Sequence, residues 1–363
     1  MPDQPWRYLF PVPSLRVPTA WQVGRVTFHP GTDGPSLIAA TPIRGGTSGV
    51  HGERISEVMK AATDGAIAEV ERRDVENAAD DALDEVRAAL DVLRLFQQSQ
   101  TRDRTTWFSL PGELYQAYIE YVLSGRDSAV GFTNRGKHAG WTFSERSRRD
   151  WDESATFQYL SASLADPSSS EGAARAVLAT RLYSRAAAEH RPDLKLIGII
   201  SAMEAMLLDP TIRSAQTLTL VRHVTWFTCE GAGEAGCGRD SPICAYLYIR
   251  PNESRLLKQL RSLGEESHLW RCSQWHDVSR WYDLRSIAVH GDAPEQVELR
   301  QAEQAEYHFS HYLIEPVIRW FIDHPSDPIG MLQQTIDSLP PPDDWSETLE
   351  AIRAGNLVPP WVE

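Results

Sequence analysis

Two side chains suited to acid–base and anion chemistry lie close together near the end of a predicted helix. The segment Trp281–Gly291 reads WYDLRSIAVHG and places Arg285 five residues before His290. An imidazole can take up or release a proton near neutral pH, and a guanidinium can hold an anion with its planar fork of donors.

The spacing of the two side chains limits how they can act on one group. Each residue of a regular helix turns about 100° and rises about 1.5 Å, so Arg285 and His290 are about 140° and about 7.5 Å apart. They meet only if the arginine reaches around the helix, if the last turn unwinds, or if a second copy of the chain completes the site. Gly291 is of the type that often follows a helix C-terminus, which predicts that His290 lies in the last turn, where the helix dipole favours an imidazolium.

This pattern resembles the signature of the HEPN superfamily. That signature is an arginine, four to six residues of which the first is polar, and then a histidine; Arg285, Ser286 and His290 match it with a four-residue gap. The preceding Tyr282 and Asp283, together with the HG dipeptide that closes the segment, look most like the Apea-like HEPN branch. The resemblance extends over roughly residues 170–325, which is less than half of the chain.

The resemblance implies a helical bundle that cleaves RNA without a metal or other cofactor, usually as a homodimer that brings two motifs to one cleft. The implied reaction is attack of a ribose 2′-hydroxyl on the adjacent phosphate. His290 would then serve as general base or acid, Arg285 would stabilise charge on the phosphate oxygens, and Ser286 would orient either side chain. The Apea-like resemblance also implies a role in anti-phage defence or in a toxin-like system.

An acidic residue on an upstream helix is a candidate partner for Arg285. The helix predicted over 194–208 carries Glu204 on an otherwise apolar stripe, and a buried carboxylate needs a partner. Arg285 lies on a stripe of core-type residues, so its stem is expected to pack against the core. The two side chains are expected to pair, either as a purely structural ion pair or in support of a site. Asp283 is a further supporting candidate or simply a solvated acid.

A linker divides the chain into two predicted domains. Residues 166–170 read DPSSS and supply helix-capping residues to the segment that follows. We expect a mixed α/β N-terminal domain over 1–165 with a sensor or accessory role, an all-α HEPN-like domain over 166–325, and a Pro-rich tail over 326–363 laid over the surface. The expected fold class is mainly α, with an α+β N-terminal domain.

The hydrophobic pattern predicts several elements within these domains. In the N-terminal domain they are β-like runs at 21–28 and 36–40, one long or once-broken helix over 53–98, a short helix around 115–123, and two β-like pieces at 128–133 and 140–144 joined by a hairpin loop. In the C-terminal domain they are helices over 171–190, 194–208 and 214–228, and a closing helix over 294–324 bent at Pro316. Pro192 opens the helix over 194–208.

All four cysteines lie in one region, at Cys229, Cys237, Cys244 and Cys272. Gaps of seven and six residues separate the first three, and these are wider than the usual spacing of zinc knuckles. A structural zinc site and buried or free thiols therefore both stay open. Four cysteines in 363 residues do not make a disulfide scaffold.

Composition and charge narrow the class of protein. A chain of 363 residues that is 42% hydrophobic can bury a core, and an N-terminus without a basic region and long apolar run predicts a cytoplasmic protein that does not enter membranes. A net charge of −14 opposes indiscriminate nucleic-acid binding, so an RNA site must be a local basic patch. Candidates are Arg271, His276, Arg280 and Arg285, and the basic residues of 135–149, although either set can be a solvated face.

Two functions are compatible with these residues. The first is an endoribonuclease that uses Arg285 and His290, as the resemblance implies. The second is a regulatory module in which the same helices bind RNA or a partner protein and break no bond.

Overall fold

The computed structural model describes residues 6–13, 15–40, 65–72, 78–100, 106–107, 110, 118–123, 130–135, 138–139, 141–211, 216–228, 273–291 and 297–338. These residues form a mainly helical protein with a small four-stranded antiparallel sheet. The chain divides into two compact units, Met1–Ser169 and Ser170–Glu363. None of the described helices combines the length and apolar character needed to cross a bilayer.

The first unit contains the described strands and four of the described helices. The strands are β1 (Trp6–Val12), β2 (Leu15–Arg16), β3 (Trp21–Val23), β4 (Val26–Pro30), β5 (Ala66–Arg72), β6 (Thr106–Trp107), β7 (Tyr118–Leu123), β8 (Val130–Arg135), β9 (His138–Ala139) and β10 (Trp141–Thr142). The helices are α1 (Gly34–Ala40), α2 (Ala78–Gln100), α3 (Glu145–Asp152) and α4 (Ala155–Ala165).

The main sheet has the strand order β1-β5-β4-β3, and all its neighbours are antiparallel. Ala68 in β5 lies opposite Phe10 of β1 and Phe28 of β4. The long helix α2 packs on β5 and on α4, and an aromatic cluster of Trp21, Phe96, Phe143, Trp151 and Phe157 fills the space between them. Burial of these rings contributes to the stability of this unit.

Three predicted elements of the first unit are wrong. Residues 66–72, expected within a long helix, form the central strand β5, because pairing on both sides outweighs the helix preference of its Ala, Glu and Arg residues. Residues 36–40, expected as a strand, belong to α1, and the helix expected around 115–123 is replaced by the strand β7 at Tyr118–Leu123.

The predicted hairpin between residues 128–133 and 140–144 is also wrong. The strand β8 pairs in antiparallel fashion with β7, whereas β10 pairs in parallel with β2. Asn134 and Arg135, expected in the loop, are the last residues of β8. β8 is therefore paired with β7, the strand before it, and not with the segment that follows it.

The second unit is helical in all of its described parts. Its helices are α5 (Glu171–Ala188), α6 (Pro192–Leu207), α7 (Gln216–Thr228), α8 (Ser273–His290), α9 (Leu299–His308), α10 (Ile314–Asp323) and α11 (Pro328–Asp337), with a π-helical turn (Phe309–Leu313) between α9 and α10. The central helix is α6, which packs against α5, α7, α8 and α9. Its Leu196, Ile199, Ile200 and Met203 are fully buried, so α6 is the element around which the unit forms.

Most of the predicted helices of this unit are confirmed. Ser170 caps α5 by accepting a hydrogen bond from the Ala173 amide, and Pro192 stands in the first turn of α6, where its missing N–H costs nothing. The closing helix begins at Leu299 rather than at 294, and it continues through the π-helical turn just before Pro316.

The described part of the C-terminal tail differs from the prediction. Residues 328–337, expected within a Pro-rich tail laid over the surface, form α11, which Pro328 opens and the Asp327 side chain caps. Ile329, Leu332 and Ile336 recur at helical spacing and are buried. Their burial explains why this stretch folds as a helix despite the prolines around it.

Candidate functional site

The helix that carries Arg285 and His290 is continuous to its predicted end. α8 spans Ser273–His290, and Gly291 follows with a φ of 75°, in the left-handed region that favours glycine. The predicted position of His290 in the last turn is confirmed. The last turn does not unwind, so Arg285 and His290 keep the angular separation of a regular helix.

Arg285 is paired with the carboxylate predicted from the sequence. Its Nη2 lies 3.2 Å from Oε2 of Glu204 on α6, and the two side chains are 25% and 20% exposed. The exposure matters because a pair sealed from solvent could not meet a substrate. This contact joins the outer helix α8 to the central helix of the unit.

Tyr282 completes a small polar network around the pair. Its ring lies under the Arg285 guanidinium, 5.6 Å from ring centroid to Cζ. Burial raises the pKa of Tyr282, and so do the negative charge of Glu204 and a hydrogen bond to that carboxylate, while Thr217 of α7 bonds to the phenol. The ion pair and the tyrosine ring thus link α6 and α8 around the arginine.

The guanidinium retains donors that the network does not use. Nε of Arg285 is buried and has no hydrogen-bond acceptor within the described part of the chain. A buried donor without a partner carries a free-energy cost of about 1–3 kcal/mol. Arg285 is therefore anchored through Nη2, while other atoms of its side chain, which is 25% exposed, face solvent.

The other candidate residues on α8 lie apart from this network. His290 and Asp283 are exposed and Ser286 is half-buried. Asp283 is two residues from Arg285, about 200° around the helix, so the structure does not bring it to the pair. Within the described ranges His290 makes no hydrogen bond or ion pair, and one copy of the chain does not bring it to Arg285.

A cavity lies next to the network, between the end of α6, the start of α7 and α11. Its volume is about 290 Å³, and it is lined by Leu208, Asp209, Gln216, Thr219, His223, Ile329, Gly330, Gln333, Gln334 and Asp337. Leu208 is one helical turn from Glu204, and Gln216 directly precedes Thr217. We did not predict this cavity, because its walls come from helices that are more than 100 residues apart in the chain.

Buried polar groups elsewhere in the unit also escaped the sequence analysis. Lys195 Nζ lies 2.9 Å from both Glu306 Oε2 and the Ala187 carbonyl oxygen, with all polar ends inside the core. His308 packs against Trp281, and burial lowers the pKa of His308 to about 4. The sequence signal was a charged or imidazole side chain on an apolar helical face, as for Glu204.

The candidate zinc ligands Cys229, Cys237, Cys244 and Cys272 lie outside the described residues. Among the residues that are described, no group of three or more His, Cys, Asp or Glu side chains is arranged to hold a metal ion. Comparison of the chain with protein-family models, with curated proteins and with solved structures gives no significant match.

Proposed function

We propose that the protein is a metal-independent endoribonuclease of the HEPN type and that Arg285 and His290 are its reacting side chains. The observation that carries the proposal is the state of Arg285, which is held by Glu204 yet one-quarter exposed. An arginine fixed in direction beside solvent is suited to meet a phosphate oxygen. In this proposal residues 166–325 are a HEPN-like helical domain of a cytoplasmic protein that acts in anti-phage defence or as a toxin.

The proposed site is shared between two copies of the chain. On a regular helix Arg285 and His290 diverge by about 140°, so the imidazole of one copy does not readily reach a phosphate held by the arginine of that copy. A twofold axis near the exposed end of α8 would place His290 of one copy beside Arg285 of the other. The exposed Val289 in this last turn supplies apolar surface for such a contact.

The proposed chemistry needs only these side chains and the RNA. His290 takes the proton from the ribose 2′-hydroxyl as the oxygen attacks phosphorus, and the imidazolium then gives a proton to the leaving 5′-oxygen as the P–O5′ bond breaks. Arg285 keeps one Nη2 bond to Glu204 and donates with its remaining N–H groups to the non-bridging phosphate oxygens, where negative charge grows. Ser286, one residue from Arg285, orients the phosphate or the guanidinium. The products are a 2′,3′-cyclic phosphate and a free 5′-hydroxyl.

Cleavage of a labelled RNA in EDTA tests the proposal. We expect the wild-type protein to cleave, with 2′,3′-cyclic phosphate ends, and His290→Ala and Arg285→Met to lose about a hundredfold or more in rate. His190→Ala, an exposed histidine at the far end of α5, is the matched control and should retain full activity. Equal cleavage by His290→Ala and the wild type would remove His290 from the mechanism.

One observation favours the rival function, a module that binds RNA or a partner protein without cleaving it. Glu204 and Tyr282 hold Arg285 in the manner of a structural cross-link between helices. A protein of this kind would bind RNA in EDTA without producing cyclic phosphate ends, and Arg285→Met would lower its stability and not a rate. The same assay thus separates the two functions.

A further inference from the structure

A chain of hydrogen bonds crosses the wall of the cavity from α6 to α11. His223 Nδ1 lies 2.7 Å from the Leu207 carbonyl oxygen, and His223 Nε2 lies 3.1 Å from Oε1 of Gln333. The Gln333 amide nitrogen donates to Asp337 Oδ2 at 2.6 Å, and Asp337 Oδ1 accepts from Arg222 Nη2 at 3.0 Å. Since the His223 side chain is only 1% exposed, bulk water does not reach the His223 end of this hydrogen-bond series.

At neutral pH this series of hydrogen-bonded groups has one donor hydrogen too few for its acceptors. The Leu207 carbonyl can only accept, so His223 Nδ1 must carry the hydrogen. Burial lowers the pKa of His223 to about 4, so Nε2 is then an acceptor without a proton. The Gln333 amide can turn its NH₂ group toward His223 or toward Asp337, but not toward both. In either orientation one acceptor faces another acceptor.

The rest of the lining is rich in acceptors as well. Asp209 Oδ1 accepts from the Thr211 amide and hydroxyl at 2.8 and 2.7 Å, which fixes the carboxylate, while Oδ2 has no hydrogen bond within the described residues. The described lining residues include two carboxylates and no lysine or arginine. Although Arg222 pairs with Asp337 behind the wall, the lining itself offers no cationic side chain to a phosphate or another anion. A ligand that brings N–H donors would be favoured.

The size and walls of the cavity limit the ligand further. A volume of about 290 Å³ lies at the small end of the range for ligand sites, enough for one ring system or a small ion. Leu208 and Ile329 supply apolar wall, which suits the faces of a flat molecule. Because Oδ1 of Asp209 already accepts twice from Thr211, Oδ2 is left to accept, and it can take two N–H groups from one planar edge.

We propose that this cavity binds a small planar ligand whose edge presents two adjacent N–H donors in an N–C–N arrangement. Guanine and the guanidinium group both have this edge. Oδ2 of Asp209 accepts from the donor pair, and the Gln333 amide, which His223 backs, takes a further N–H. Because the cavity adjoins the Glu204–Tyr282–Arg285 network, a guanine base of the RNA is the expected source, and that assignment of source rests on the proposed function.

Binding measurements on the full chain test the cavity directly. Titration calorimetry or ligand-observed NMR at neutral pH should show binding of guanosine and of guanidinium ion, and weaker binding of adenosine, which lacks the paired donors. Asp209→Asn should weaken guanosine binding about tenfold to a hundredfold, the loss expected for a charge-assisted hydrogen-bond pair. Asp323→Asn, an exposed acid on α10, is the matched control and should bind like the wild type.

A second variant guards against a folding defect in the first. Gln333→Leu removes the amide while the apolar side of α11 stays intact, and it too should weaken guanosine binding. Binding of guanidinium without guanosine would identify a free guanidino compound as the ligand source. The inference would be overturned if neither guanosine nor guanidinium bound the folded wild-type protein. It would also be overturned if Asp209→Asn and Gln333→Leu both bound guanosine as tightly as the wild type.

The two proposals can fail separately. If the wild type cleaves RNA in EDTA but neither guanosine binding nor preference for guanine is found, the cavity inference fails and the nuclease proposal stands. If guanosine binds and His290→Ala cleaves like the wild type, the nuclease proposal fails and the cavity remains a binding site.

Discussion

Two histidines of the helical unit are buried in ways that oppose their positive charge. His223 lies against the Leu207 carbonyl and Gln333, and His308 lies among aromatic rings with its Nε2 lacking a hydrogen-bond partner within the described residues. Burial lowers both pKa values to about 4. Protonation of either imidazole in the folded state therefore costs free energy.

This burial predicts a loss of stability in mild acid. In the unfolded chain a histidine has a pKa of about 6.5, so between about pH 6.5 and about pH 4 the unfolded state binds more protons than the folded state. Stability is full above about pH 6.5 and falls as the pH approaches 4. For one such histidine the loss between neutral pH and about pH 5 is about 2 kcal/mol.

Urea unfolding measures how much of this loss in the free energy of unfolding comes from His308. The wild type and His308→Phe are compared at neutral pH and at about pH 5. Phenylalanine keeps the ring contacts with Trp281 and Tyr312 and cannot be protonated, so the variant should lose about 2 kcal/mol less on acidification. His190→Phe, at an exposed position, should show the wild-type loss. The same loss in His308→Phe would show that His308 does not titrate in this window.

The candidate residues illustrate what a sequence can reveal at this scale. The pairing of Glu204 could be predicted because a carboxylate on an apolar helical stripe needs a partner. Arg285 was the candidate because it lies on a similar stripe of another helix. Tyr282 was noted only as part of a motif, since its contact with Glu204 depends on how α6 and α8 cross. His223 and Gln333 meet across 110 residues, and no local pattern records that contact.

At the scale of elements, the contact between α5 and α6 depends on one glycine. A Cβ added at Gly198 would lie 2.5 Å from Cβ of Ala186, well inside the ordinary carbon–carbon contact of about 3.5–4.0 Å. Glycine in a helix interior costs about 1 kcal/mol relative to alanine. Its presence here is therefore explained by the close approach of the two helices.

Gly198→Ala should destabilise the protein by about 1–2 kcal/mol, because the overpacking cost of about 1–3 kcal/mol exceeds the gain in helix preference. Ala186→Gly in the same chain should restore stability to within about 1 kcal/mol of the wild type. Thermal unfolding of both single variants and the double variant measures the coupling. Additive effects of the two substitutions would show that the helices do not meet at these residues.

The predicted elements that failed share a physical cause. β5 has the composition of a helix, but Ala66, Ile67 and Ala68 fill a position between two strands where small and apolar side chains are needed. Its Glu69 is tolerated there because Arg7 and His29 reach the carboxylate. The helices α5 to α7 could be predicted because their apolar stripes are long, and because Ser170 and Pro192 mark the first turns of α5 and α6.

At the scale of the whole molecule, charge and symmetry set the conditions for the proposed reaction. A net charge of −14 repels RNA from most of the surface, so affinity must come from local basic residues such as the exposed Arg280 and the open side of Arg285 on α8. Joining the exposed ends of two α8 helices would double this local positive charge. A site shared by two copies would bring Arg285 and His290 together despite their angular separation on one helix. It would also supply local positive charge on an acidic protein.

Mixing two inactive variants tests whether the site is shared. Arg285→Met and His290→Ala should each be inactive alone, but a mixed dimer contains one intact Arg285 and one intact His290 on different chains. If these act together across the dimer, random mixing should recover about a quarter of the wild-type rate, since half of the dimers are mixed and one of their two sites is whole. Mixing Arg285→Met with the double variant should recover nothing. Without recovery in the first mixture, the two residues must act from one chain, and the helix would then have to open at its last turn.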